Sequence, residues 1–434
     1  MALASRRRCS SQLLRHTDVP ARVTESFILS GYRSPDYSLG ECLASAFRPT
    51  NETANFWTHF LALFVFAFHF LELFWWERTP PCSDPFFYPF WNYFIGVAGL
   101  LVVSSMAHLL NSMSLLVREV CFFVDYGTIS AYTVGSSLAY FYYIHPKAGI
   151  VAASGLGQGR NGSGAGRDVG NANPLPLPLL PPSQTPPSAL PDLSFFFETV
   201  YIPSACLVAL ICTLACCNTR QRWRRYRYVI RTLVFLLPFT VASAPVFYRL
   251  YTAPPVAGGP GWACGGPPGP EVDVDPTAAT LAPFFYRHCF WLALSAVFNI
   301  SKIPERLSPG RFDIWGHSHQ WFHCCTFLSI LDELHMIKAE IRDIAMTSAL
   351  GLDPQGDQHG QAGLSYLSPS SPSSSRPLAG PTLLSTYGVM FGLQTCIAAI
   401  ISWFVFRTCA DHGFRPPPPA PADCCPPIAH PKSN

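Results

Sequence analysis

His319 and His323 stand four residues apart in the run His319-Gln320-Trp321-Phe322-His323. On a helix, that spacing stacks two imidazoles on one face, where they can grip a single metal ion. The H-E-x-x-H arrangement of zinc peptidases carries a catalytic Glu at its second position. Here Gln320 stands there. A metal held by this pair must therefore find its third ligand, and its acid or base, elsewhere in the chain. The plainer reading is two unrelated histidines on a helix face, and the spacing alone does not separate the two.

The elements that must position such a pair are membrane spans. Of 434 residues, 49% are hydrophobic and only 13% charged. Soluble domains carry about a quarter charged residues, so this deficit indicates an all-α polytopic membrane protein. A net charge of +3 gives no sign of a nucleic-acid partner. The 16 cysteines are mostly scattered singly, without a C-x-x-C pair, which argues against cysteine-held zinc. Cys82, Cys264 and Cys289 fall in or beside loops read as extracellular, where a disulfide is conceivable but unsupported. Arg6, Arg7 and Arg8 lack a following apolar stretch, so no cleavable signal is expected.

Apolar runs cover about 56–76, 90–110, 120–144, 195–217, 228–248, 283–300, 315–337 and 383–406. They divide the chain into a segment 1–55, a seven-helix core 56–337, a Ser/Pro-rich loop 338–382, an eighth helix 383–406 and a Pro-rich tail 407–434. Within the core, 146–193 reads as a disordered Gly/Pro loop and 252–276 as a second one. The seventh run is the least apolar, with four histidines and Asp332-Glu333. Paired Cys424-Cys425 in the tail invite palmitoylation, although two incidental cysteines explain them as well.

Short-loop Arg and Lys set orientation. Arg220, Arg222, Arg224, Arg225, Arg227 and Arg231 crowd the fourth-to-fifth connection, and Lys302, Arg306 and Arg311 the sixth-to-seventh. With eight spans both connections, the Arg-rich start and the tail (Arg407, Arg415) lie on one side, which predicts cytoplasmic termini. The sequon at Asn161 then lies outside and the one at Asn51 lies inside, unused. The Arg220–Arg231 stretch reads first as a topology determinant and second as a contact for anionic lipid or a signalling partner.

This topology places His319 and His323 at the cytoplasmic end of the seventh span. His108, closing the second span, falls at the same depth, with Ser104 one turn earlier. Asp125 and His59 enter at that depth from the third and first spans. His69 and Glu72, in the outer half, are expected to lack such company. Catalytic zinc takes three protein ligands and keeps one position open. His108, His319 and His323 make three, with His59 the rival third ligand. Asp125 is the candidate base and Ser104 a candidate oxyanion partner. Glu52 and Asn55 share a helix face with His59 and form a candidate supporting network. The alternative is a set of interhelical hydrogen bonds that only hold the bundle together.

Four stretches resemble the progestin and adipoQ receptor family, in particular its membrane progestin receptor subgroup. These are Glu52-x-x-Asn55-x-x-x-His59, Ser104-x-x-x-His108 with Phe123-Val124-Asp125-Tyr126-Gly127, Lys302–Asp313, and Gly316-His317-Ser318-His319-Gln320-x-Phe322-His323; Ser30-Gly31-Tyr32-Arg33 also fits. Phe327-Leu328-Ser329-Ile330 resembles the epsilon member. The resemblance implies a seven-helix core with the N-terminus inside, zinc on His108, His319 and His323, and Asp125 beside the metal-bound water. It also implies two activities: a plasma-membrane receptor for progestins signalling through G proteins, or, by analogy with the adiponectin receptors, a zinc-dependent intramembrane hydrolase of ceramide-like amides. A third expectation is a scaffold that uses the metal for stability alone. Aromatics such as Phe64, Phe66, Phe68, Phe70 and Tyr140–Tyr143 suit either an apolar ligand cavity or bundle and lipid packing, the latter being commoner.

Overall fold

The computed structural model describes residues 12–76, 83–145, 195–223, 226–252, 276–350 and 380–413. Arg6–Arg8, Cys82, the Asn161 sequon, Cys264, Cys424-Cys425 and most of the three low-complexity segments lie outside the described residues. Within them the fold is helical, the only β pairing being an isolated bridge between Leu14 and Tyr32.

In chain order the helices are α1 (Leu39–Ser45), α2 (Thr53–Trp76), α3 (Tyr88–Leu110), α4 (Leu115–Ala139), α5 (Tyr201–Gln221), α6 (Arg227–Ala242), α7 (Ala244–Thr252), α8 (Pro276–Ser301), α9 (Ser318–Leu350) and α10 (Val389–Gly413). Local chemistry sets their starts. Ser38 and Glu41 form a reciprocal capping box at α1. The Ser114 hydroxyl accepts from the Val117 amide at 3.1 Å at the head of α4.

Among the described residues, five helical stretches are long and apolar enough to cross a membrane: Thr53–Trp75, Pro85–Leu110, Phe196–Gln221, Thr280–Ser301 and Leu384–Ala410. A sixth is the pair α6–α7, bent by 53° at Ser243, so the expected fifth run is broken rather than straight. The protein is therefore an all-α, multi-pass membrane protein. Helices α4 and α9 are less apolar because they carry Arg118, Glu119 and Asp125, and Asp332, Glu333, Lys338 and Glu340. Most of these side chains are buried among neighbouring helices.

The core joins α2, α3 and α9 through Phe66, Phe70, Phe90, Tyr93, Leu101, Ile330, Leu334 and Ile337. Phe64 and Phe68 face outward, so the alternating phenylalanines of α2 divide between packing and exposure. Helices α3 and α4 approach closely at Gly96, where an added Cβ would sit 2.9 Å from the Tyr132 Cα. Helix α10 packs on α4 and α5.

Two expectations need correction. Helix α9 continues to Leu350 instead of ending at 337, because Ile341 and Ile344 extend its buried face. His69 and Glu72 also have company. Lys338 Nζ lies 3.2 Å from Glu72 Oε2 and donates to the His69 carbonyl at 2.7 Å, while the His335 ring lies 5.3 Å from that of His69. These partners sit on a helix more than 260 residues away in sequence, so position along one span could not reveal them. Cys289 is a half-buried free thiol on α8.

Candidate metal centre

The connection between α8 and α9 aims the histidine pair. Asp313 accepts from the Leu29 amide at 3.0 Å and the Ser30 hydroxyl at 2.7 Å, tying this connection to the N-terminal segment. The Glu305 carboxylate accepts from the Ser318 amide at 2.7 Å and from its hydroxyl, capping α9. Gln320 has a structural task. Its Oε1 accepts from the amide of Gly316 at 2.6 Å and its Nε2 donates to the Ile314 carbonyl at 2.8 Å. Gly316 has a φ of +80°, a conformation that side-chain-bearing residues rarely adopt. The residue in the place of a peptidase Glu therefore fastens the turn before the helix.

His108, His319 and His323 converge so that one ring nitrogen from each lies within 4.8 Å of the others. The Nε2 atoms of His108 and His319 are 3.3 Å apart. Zinc–nitrogen bonds of about 2.0–2.1 Å at tetrahedral angles put ligand nitrogens about 3.3–3.4 Å apart, so the donor set suits zinc. Two of the remaining ring nitrogens are occupied elsewhere. His108 Nδ1 is 2.7 Å from Glu52 Oε2, and His323 Nδ1 is 3.0 Å from Thr58 Oγ1. Such partners fix ring orientation and tautomer, as they do around metal-binding histidines.

Glu52 is the hub of that support. Asn55 Nδ2 donates to its Oε2 at 2.8 Å, and Asn111 Nδ2 to its Oε1 at 2.9 Å. Burial alone raises the Glu52 carboxyl, but His108, Arg118 and Arg33 hold it well below the usual carboxylate range. Buried Arg33 donates to the carbonyls of His108 and Leu109 and to Asn111 Oδ1, at 2.7, 2.6 and 2.8 Å. Arg33, Thr58, Glu305 and Asp313 stand at no metal-ligand or acid–base spacing, so their individual roles are visible only from their contacts in the fold.

His59 lies outside the three-histidine group. Its ring stacks on His323 with centroids 3.8 Å apart, and its Nδ1 meets Ser104 Oγ at 2.9 Å. Ser104 is thus engaged by His59. Asp125 lines the same cavity, with His108, Arg231 and Arg220 as its neighbours. Two arginines of the basic connection have structural partners: Arg220 pairs with Glu119 at 2.6 Å and Arg231 donates to Thr219 at 2.8 Å.

His59, Ser104, Asp125, Arg220 and Arg231 border a mainly apolar cavity of about 460 Å³, which reaches from the N-terminal segment past the three histidines to Glu333 on α9. Tyr140 lines it, whereas Phe66 and Phe70 pack in the core. At its mouth, Glu25 lies 3.6 Å from Arg118 and 3.7 Å from Arg227. Lys302 lies 3.8 Å from the Tyr228 ring centroid with a φ of +57°. Burial pulls its ammonium down to about 8, against the opposing pull of Glu25 and Glu305.

Known proteins share this arrangement of sequence. The pattern of the family described as haemolysin-III related matches residues 47–262 and 273–332. Human (Homo sapiens) membrane progestin receptor gamma is 30% identical over 315 residues, covering 72% of this chain and 76% of that protein. Mouse (Mus musculus) membrane progestin receptor delta is 30% identical over 334 residues, covering 76% and 79%. Membrane progestin receptor gamma-B of Danio rerio is 28% identical over 341 residues, covering 74% and 80%. With a match across all but the last of the apolar runs, the chain belongs to the haemolysin-III related family and, within it, to the membrane progestin receptor subgroup.

Proposed function

We propose that the chain is a steroid receptor of the plasma membrane: it binds progesterone-like steroids in the cavity, signals through a heterotrimeric G protein, and holds zinc on His108, His319 and His323. One observation carries the reading. The largely apolar cavity has the three histidines in its wall, so an apolar ligand and a metal-directed polar group are accommodated together. The proposed arrangement in the membrane has eight spans with both termini cytoplasmic, by the distribution of Arg and Lys. The epsilon-like stretch Phe327–Ile330 lies on α9 just beyond the histidine pair. The test is saturable binding of labelled progesterone to the purified protein, paired with the cyclic AMP response of cells that express it. Absence of specific binding in the purified protein removes the receptor reading. Metal analysis of His108→Ala and His319→Ala proteins tests the ligands; undiminished zinc in either shows that the ligand set is wrong.

A second reading has its own support, because Asp125 borders the same cavity as the histidines. In it the protein is a lipid amidohydrolase acting on ceramide-like substrates. Bound zinc would supply an activated water and a Lewis acid for the amide carbonyl. The Asp125 carboxylate accepts the proton of the attacking water and returns it to the departing amine. Ser104 Oγ, held by His59 Nδ1, positions the carbonyl oxygen. The apolar walls exclude competing water. Equal release of product from ceramide by wild-type and Asp125→Ala proteins counts against this chemistry.

A further inference from the structure

The end of the cavity away from the histidines is polar, and the metal centre does not explain it. Tyr132 and Ser136 of α4 and Tyr140, the residue that caps its end, are spaced four apart and share one face, and all three line the cavity with Glu333 of α9. Glu333 Oε2 accepts from the Tyr132 hydroxyl at 2.5 Å and from the Tyr93 hydroxyl at 3.3 Å. The carboxylate is 2% exposed and has no ion-pair partner among the described residues. Tyr140 lies within electrostatic reach of Glu333, yet its buried hydroxyl completes no hydrogen bond. Ser136 and Ser243, also in the cavity wall, have buried hydroxyls in the same condition. Unpaired buried polar atoms are few in folded proteins, and each has a cause. Of the eight among the described residues, six belong to residues that line this one cavity.

The two polar ends are set apart by the length of α9. His323 and Glu333 are ten residues apart, about 15 Å along a helix axis. Leu100, Ile129 and Phe239 contribute apolar wall. A single-headed chain with its polar group at the histidines would lay hydrocarbon against Glu333 and the free hydroxyls, which is costly for a carboxylate inside a membrane protein. A rigid apolar molecule with an oxygen function at each end satisfies both.

We infer that Glu333, with Tyr132 and Tyr140, is a second polar anchor for the ligand, and that the cavity selects rigid apolar molecules with oxygen at both ends. The inference rests on the steroid-binding reading. In it one ligand oxygen faces the histidine end, and the other, a hydroxyl, accepts from the Tyr140 hydroxyl and donates to the Glu333 carboxylate. Tyr132 and Tyr93 hold the carboxyl in place.

The test is a set of dissociation constants for the purified full-length protein in lipid nanodiscs. The probes are 5α-pregnane-3β,20α-diol and its two single-deletion analogues, 5α-pregnan-20α-ol and 5α-pregnan-3β-ol. In the wild type, deleting the oxygen that reaches Glu333 weakens binding about tenfold, the size of one buried hydrogen bond. In Tyr140→Phe and in Glu333→Gln, the same deletion costs less than about threefold, because the partner is already altered. A role of Glu333 in bundle stability alone would weaken all three probes together and leave their ratios unchanged. The anchor is overturned if both deletions cost as much in the variants as in the wild type, or if neither deletion weakens wild-type binding. No saturable binding of any probe to the wild type removes the receptor reading, and the anchor with it.

Discussion

Glu52→Gln is the sharpest probe of how the metal centre is built. The change removes charge while preserving shape, so its effect comes from hydrogen-bond polarity. Glu52 accepts three bonds, from His108 Nδ1, Asn55 Nδ2 and Asn111 Nδ2, at 2.7, 2.8 and 2.9 Å. A glutamine offers one acceptor oxygen and one donor NH2 group. If its oxygen serves His108 and Asn55, its NH2 faces the NH2 of Asn111. Asn111 cannot turn its own oxygen inward, because Arg33 Nη2 already holds that oxygen at 2.8 Å. If the glutamine flips, its NH2 faces His108 Nδ1, and the ring loses the partner that fixes its tautomer. Loss of such a partner costs about 10–100-fold in metal affinity, or about 1.4–2.7 kcal/mol. One mismatched buried donor costs about 1–3 kcal/mol of stability besides. Zinc competition against graded chelators gives the first number, and thermal unfolding of the metal-free protein gives the second. A folded Glu52→Gln protein that holds zinc as tightly as wild type refutes the reasoning, since Glu52 would then play no part in presenting His108.

His59→Ala is expected to keep near wild-type zinc content, because His59 stacks on His323 without joining the three-histidine group; zinc loss equal to that of His108→Ala would show otherwise. Arg33→Ala strands the carbonyls of His108 and Leu109 and removes one of the two arginines near Glu52, so unfolding in detergent is expected to show a loss of about 3–5 kcal/mol. Gly96→Val drives a side chain into the Tyr132 backbone and is expected to lower the melting temperature sharply, whereas Gly99→Ala, which meets nothing within 4 Å, is nearly neutral. Lys302 binds its proton less tightly when folded, at about 8 against a usual 10.5. Between those values the unfolded chain holds more protons, so stability rises with pH across that window. The melting temperature of the wild type is therefore expected to climb relative to Lys302→Met between pH 7.5 and 9.5, and parallel profiles would count against it.

The legible part of this protein was what repeats with helical spacing or follows from the cost of crossing lipid. The His319–His323 spacing, the depth shared with His108 and the helical runs could all be read because each depends on local sequence or simple topology. His59 and His108 could not be ranked as ligands that way. Both sit at the right depth, and the choice turns on helix rotation: His59 presents its Nδ1 to Ser104, while His108 presents its Nε2 to His319. Gln320 was legible as a missing base but not as a cap, because its partners Gly316 and Ile314 lie in an irregular turn. Arg33 lies in a segment that reads as a polar leader, and its burial becomes apparent only when that segment folds against the ends of α3 and α2.

Helix α9 shows why the outer half was misjudged. The histidines at the start of α9 account for its low hydropathy only over the first two turns. Farther along, Asp332 pairs with Arg287 of α8 at 2.5 Å, Lys338 with Glu72 of α2 at 3.2 Å, and Glu340 with Arg249 of α7 at 2.5 Å. Three charges on one helix thus take partners from three others. Each pair offsets the cost of a charge in a low-dielectric interior only while both members are present. These pairs therefore favour one packing order of α2, α7 and α8 around α9, since any other arrangement leaves charges uncompensated. Glu333, two turns above Thr326 on the same helix, is the acid of this series without a basic partner. It is also the one that lines the cavity. With its neighbours Asp332 and Glu340 each neutralised by a specific partner, Glu333 stands apart as the buried acid of this helix that faces the cavity.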